Sequence, residues 1–189
     1  MFRFAVVFIA VLAIMTQFVP AQTAEEDGFV SLMNASDWAG WEENHNAWNL
    51  QGDVLAGRSD GSSPTILVVK GRDFGDFELR FEARVNRGAV RVKMRGPGPG
   101  PLGVALEINA ERVEWFTHSQ PFFVAASNHP GKWNEYRVVV SGSLFKFWQN
   151  GIASALELAV GHLDTSGKLA LHLSEGKASE IALRHIRIR

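Results

Sequence analysis

The 189-residue chain contains no cysteine. Disulfides, thiolate metal sites and thiol nucleophiles are therefore excluded, and stability must come from apolar burial and backbone hydrogen bonds. An excess of charge is missing too. Lys and Arg number 19 against 20 Asp and Glu, a net charge of −1, with no long basic run. Neither nucleic acid nor an anionic membrane surface is an expected partner. No apolar run reaches the roughly 20 residues of a spanning helix. Phe4 to Met15 is shorter; Arg3 precedes it, and Val19-Pro20-Ala21 follows it with small residues at −3 and −1. That is the pattern of a secretory signal peptide, with cleavage expected after Ala21 and no membrane span afterwards. The chain thus divides into a leader (1–21), a short acidic lead (22–27) and one domain (28–189), periplasmic or extracellular. The six histidines show no HExxH or other close ligand spacing, so no histidine metal site is expected. The Gly-rich stretch Pro97-Gly98-Pro99-Gly100-Pro101 carries prolines and precedes a strand, not a helix, so it is no phosphate cradle, and no cofactor is expected.

What is present is period-two alternation. In Asp73 to Gly96, Phe77, Leu79, Phe81, Ala83 and Val85 fall on one side, with Glu78, Arg80, Glu82 and Arg84 on the other. After the turn Asn86-Arg87-Gly88, Val90, Val92 and Met94 face one way, and Arg91, Lys93 and Arg95 the other. These read as two half-buried antiparallel strands, each with a charged face. Shorter runs of the same kind recur at Phe29–Leu32, Trp48–Gly57, Thr65–Val69, Gly103–Asn109, Val113–Phe116, Phe122–Ala126, Trp133–Ser141, Leu144–Trp148 and Lys168–Leu173, and then at Ile181–Arg189. Asn150-Gly151 is a strong hairpin signal. About a dozen short strands, with only Ile152–Val160 open to a helical reading and taken as strand or loop between its strand neighbours, predict an all-β, two-sheet antiparallel sandwich or jelly roll.

Several segments fall in a recognisable order. F-V-S-L-M-N-A-S-D-W-A-G-W, W-N-L-Q-G-D-V-L-A-G, F-G-D-F-E-L-R-F-E-A-R, W-N-E-Y-R-V-V-V-S-G with W-Q-N-G, and I-A-L-R-H-I-R-I-R resemble, in sequence order, the conserved blocks of the 3-keto-disaccharide hydrolase family. The resemblance covers about residues 28 to 189. It implies a concanavalin- or laminin-G-like sandwich, export, and action on or binding of carbohydrate. The chain departs from the family pattern at three places. Ala89, Val90 and Arg91 replace an Asn-Ser-Gly entry, Ala105 and Glu107 stand where the family carries Glu and Gln, and His172 takes the place of a Gln. Arg95 and Gly96 are kept.

The candidate site residues follow from this pattern. Glu107 is a lone carboxylate on a polar strand face, suited to act as general base or acid. His172 and His118 are the histidines placed to transfer protons. Arg95, with Lys93 beside it, is placed to hold a keto or hydroxyl oxygen. Trp41 and Trp115 offer flat apolar faces to a sugar ring. Arg95 and Glu107 are expected to share one concave face. Two functions stay open. One is hydrolysis or elimination of keto-glycosides, for which a single base suffices because a 3-keto group acidifies the adjacent C–H. The other is a non-catalytic carbohydrate-binding or cell-surface module. The expected partner is a mono- or disaccharide or glycoside; the oligomeric state is not legible.

Overall fold

The computed structural model describes residues 28–33, 38–42, 46–97, 103–117, 120–154, 157–161, 165–173 and 175–189, with 120–127 described by their backbone only. Among the described residues there is no helix, hence none that could cross a membrane. The strands are β1 (Val30–Ser31), β2 (Trp48–Gln51), β3 (Val54–Ser59), β4 (Thr65–Val68), β5 (Phe77–Arg87), β6 (Ala89–Gly96), β7 (Val104–Asn109), β8 (Arg112–Thr117), β9 (Gln120–Ser127), β10 (Asn134–Ser141), β11 (Leu144–Gln149), β12 (Ile152–Ala153), β13 (Leu158–Ala159), β14 (Lys168–Leu173) and β15 (Ser179–Ile188).

They form two antiparallel sheets. One runs β12-β11-β10-β5-β15-β3-β2, with β1 on β15 and β13 on β11; the other runs β4-β14-β6-β7-β8-β9. The alternation expected from the sequence is what welds the sheets together. Leu79, Phe81, Val138, Phe147, Leu55 and Leu183 point inward from the larger sheet. Leu67, Leu171, Val92, Leu106 and Trp115 form one continuous register row on the inner face of the smaller sheet. Side chains one residue away lie on the opposite face, because successive Cβ atoms alternate across a strand.

β5 and β6 are not a hairpin, although the sequence reads as two consecutive strands around a turn. They lie in different sheets, and Gly88 carries the chain between them. Its φ is +71°, and a Cβ there would meet the Ser179 side chain and the Ala178 carbonyl well inside contact distance. Only glycine fits both the backbone and the space. Ala89–Gly96 therefore pairs with β7 and β14. The neighbours of its charged face are residues that the sequence does not place beside it.

The outer face of the larger sheet is an ion-pair lattice. Glu78 takes hydrogen bonds from Arg80 (2.8 Å), Arg137 (2.6 Å) and Arg189 (2.8 Å). Burial pushes its carboxyl up, but the three guanidiniums win and hold it at about 2. Glu82 is likewise held below the usual carboxylate range by Arg184 and His185, against the desolvation that raises it. Trp133 lies on this face with Arg84 and Arg184 over its ring.

Candidate functional site

The outer face of the smaller sheet collects polar side chains that the chain order keeps apart. β14 lies beside β6, β6 beside β7, and β7 beside β8. The register then sets His172, Arg91, Glu107 and Glu114 in a single row across four strands. The adjacent row is Ala170, Lys93, Ala105 and Phe116. Two alanines in that row leave Lys93 standing over small neighbours.

Within the row, Arg91 Nε donates to Glu107 Oε2 at 2.6 Å, and the Arg91 guanidinium lies 4.3 Å from the centre of the Phe116 ring. Arg91 is therefore fixed from two sides. Glu114 is paired with the exposed Arg112 at 3.1 Å. Glu107 and Glu114 are direct cross-strand partners, which brings two carboxylates to one spot. A groove of about 580 Å³ opens beside Arg91 and Glu107, flanked by Asn109, Glu175 and Lys177.

The β14–β6 side of the face carries Arg91 and, in the adjacent row, Lys93. Lys93 is 7% exposed. Burial pushes its ammonium below its ordinary value, and Arg91 pushes it the same way. His172 lies between Arg91 and Ile66 in register. Burial, then Lys93, then Arg91 bring its imidazole down to about 4, so it is neutral at pH 7. Its Nδ1 is buried and, among the described residues, has no hydrogen-bond partner.

Arg95, expected on this face, is not there. Its backbone φ is +53°, and the register slips at the paired Lys168–Leu169. The period-two alternation breaks, and the side chain turns into the interior, 2% exposed. Arg95 donates to the carbonyls of Gly75 and Gly142 and to Asp76 Oδ1 at 2.7 Å, while Asp76 Oδ1 also accepts from Gly142 N. It ties the end of β6 to two loops of the opposite sheet. It shares no face with Glu107.

Trp115 and Trp41 are also corrected. Trp115 lies in β8 and is 0% exposed, packed edge-on to Phe145 at 5.9 Å and Phe147 at 6.3 Å. Trp41 is buried and donates its indole N–H to the Leu32 carbonyl at 2.9 Å. Neither presents a ring to a ligand. His118 lies outside the described residues. Of the expected set, the structure brings together Glu107, His172 and Lys93. It adds Arg91, whose signal was its period-two spacing from Lys93, and Glu114, whose signal was its place in a short alternating run. Among the described residues no three His, Asp or Glu side chains gather as a metal site would require.

A family model described as the 3-keto-alpha-glucoside-1,2-lyase-like domain matches residues 28–189. The chain belongs to this family. No protein of curated function matches it by sequence. Among solved structures, a putative glycosyl hydrolase from Parabacteroides distasonis aligns at 16% identity and a TM-score of 0.66, over 86% of this chain and 93% of that one. The carbohydrate-binding module CBM66 from Bacillus subtilis aligns at 16% identity and 0.62, over 78% and 93%. The lumenal domain of VIP36 aligns at 13% identity and 0.57, over 82% and 85%. At these identities the likeness is one of fold, a lectin-like sandwich. The family places this lyase-like domain among carbohydrate-related proteins. In it, the sheet face that carries His172, Arg91, Glu107 and Glu114 brings partly desolvated polar groups together across four strands.

Proposed function

We propose that this domain acts on 3-keto-glycosides at the outer face of the smaller sheet, by elimination. The observation that supports the reading is the polarity of the face, with a neutral imidazole on β14, the cations Arg91 and Lys93 on β6, and carboxylates on β7 and β8. A 3-keto group acidifies the C2 hydrogen. With the keto oxygen toward Arg91 and Lys93, negative charge developing on that oxygen meets fixed cations in a partly dry site. Glu107 then removes the C2 proton, the C1–C2 double bond forms, and the C1–O bond breaks. The same proton, returned from Glu107, neutralises the departing oxygen. Hydrolysis would follow if water then added to the double bond.

One observation favours a second reading. Glu107 is already engaged by Arg91 at 2.6 Å, and an ion-paired carboxylate is a weaker base. On that reading the face binds a saccharide without cleaving it. Reaction in deuterium oxide separates the two. Elimination requires that release of the aglycone from a 3-keto-α-glucoside be accompanied by loss of the C2 hydrogen. Release with that hydrogen fully retained would mean direct hydrolysis, and no release with measurable binding would leave the binding module. The leader-like segment 1–21 supports export to the periplasm or cell exterior; detection of a product beginning at Gln22 in that fraction would establish it.

A further inference from the structure

On the outer face of the larger sheet, Asn49, Ala56, Ala182 and Arg84 form one register row across β2, β3, β15 and β5. The two methyl side chains in the middle make a low floor, and the longer side chains at either end stand above it. In the flanking row on one side, Arg58 pairs with Glu180 at 3.0 Å; on the other, Arg184 pairs with Glu82 at 2.7 Å. The result is a trough of about 460 Å³, within the size range of small-ligand sites. At the usual strand spacing of about 4.8 Å, a row across four strands spans roughly 14 Å, room for a di- or trisaccharide.

The walls of the trough are polar. At one end the Arg84 guanidinium lies 4.9 Å from the centre of the Trp133 ring, and its buried Nε meets no acceptor among the described residues. Stacking on the indole positions Arg84. At the other end Asn49 and Gln51 are exposed on the edge strand β2, and each amide both donates and accepts. Glu180 adds a carboxylate from the side, with the Asn86 amide on its Oε1 at 3.4 Å. Donors and acceptors thus surround an apolar floor. A pyranose has the matching make-up, with hydroxyls around its rim and C–H groups on its face. An anion fits less well, because it would gain Arg84 but meet the carboxylates of Glu180 and Glu82 in the flanking rows.

We propose that this trough is a second, non-catalytic saccharide site, which holds an unoxidised α-glucoside on the sheet opposite the reacting face. The choice of sugar rests on the 3-keto-α-glucoside reading above, whereas the site itself rests on the trough.

The test titrates maltotriose into the intact protein, up to about 20 mM so that a millimolar site is filled, with backbone amide NMR as the readout. The expected result is saturable shifts at Asn49, Ala56, Ala182 and Arg84. Arg84→Met, which keeps an aliphatic stem against Trp133, should weaken this binding about tenfold, the scale of a lost hydrogen bond to a charged group. Asn49→Ala, at an exposed edge position that the fold tolerates, should weaken it at least threefold, and decides the matter if Arg84→Met disturbs the rest of the spectrum. Glu107→Gln should bind as wild type does. No shifts at these four residues, shifts confined to β6, β7 and β14, or affinity unchanged by the substitutions would overturn the proposal. Turnover of a 3-keto-α-glucoside by Arg84→Met should stay within about twofold of wild type. Turnover without maltotriose shifts in the trough sinks the second site alone, whereas shifts in the trough without turnover sink the elimination alone.

Discussion

Replacing Glu78 by Gln should remove a pH-dependent part of the stability. Three guanidiniums bring the Glu78 carboxyl from 4.5 to about 2 in the folded protein. At about 1.36 kcal/mol per pK unit, that drop corresponds to about 3 kcal/mol. The arginine partners are not deeply buried; the side chains of Arg80, Arg137 and Arg189 are 22%, 38% and 46% exposed. Solvent screening reduces the figure to about 2 kcal/mol. The folded-state value is depressed, so the contribution is fully present above the unfolded value and is lost as pH falls from about 5 toward 2. Urea unfolding of wild type and Glu78→Gln should therefore show a gap of about 2 kcal/mol at pH 7 and about 1 kcal/mol at pH 3. Glu82, also held below the usual carboxylate range, is untouched in both proteins, so its contribution cancels in the difference. A gap that stays constant between pH 7 and 3, or that lies under about 0.5 kcal/mol at pH 7, would refute the reasoning, because the arginine cluster would then be a solvated surface feature.

Three further predictions concern residues whose role the structure reassigns. Arg95→Lys should lower stability by about 3 kcal/mol in urea unfolding, because a lysine cannot serve Gly75, Gly142 and Asp76 together in a buried site; a loss under 1 kcal/mol would argue against the clamp. Trp115→Ala should cost about 3–5 kcal/mol, and any fall in sugar affinity should track unfolded fraction, as thermal melts run beside binding curves would show. Gly88→Ala should destabilise by more than about 1 kcal/mol, since both its φ and the adjacent Ser179 oppose a Cβ; an unchanged melting temperature would contradict the tight crossover between sheets.

Most of the fold was legible because alternation is a local signal. Phe77 to Val85, Tyr136 to Val140 and Leu169 to Leu173 each show period two, and a two-sheet sandwich is a common way to bury many such faces. Strand order was not legible. Nothing local says that Gly88 moves the chain to the other sheet, so Arg91 could not be matched to Glu107, nor Glu107 to Glu114. Arg95 misled for a specific reason. Period-two reading assumes extended backbone throughout, and a single residue at φ +53° reverses the face of its own side chain. Tryptophan misled for another. Trp41 and Trp115 carry the same apolar area whether it packs on a sugar or on Phe145, and composition cannot separate the two. His172 and Lys93 kept their expected face because their strands stay regular there.

The central claim is that the outer face of the smaller sheet is where a 3-keto-glycoside reacts, with Glu107 as the base. It is tested most directly by the turnover of a 3-keto-α-glucoside by wild type and by Glu107→Gln, with the fold of both verified by circular dichroism. A fall in kcat of at least about a hundredfold, within the 10²–10⁴ range of general-base catalysis, is the expected result. Turnover of Glu107→Gln within about threefold of wild type would contradict it and place the chemistry elsewhere on the molecule.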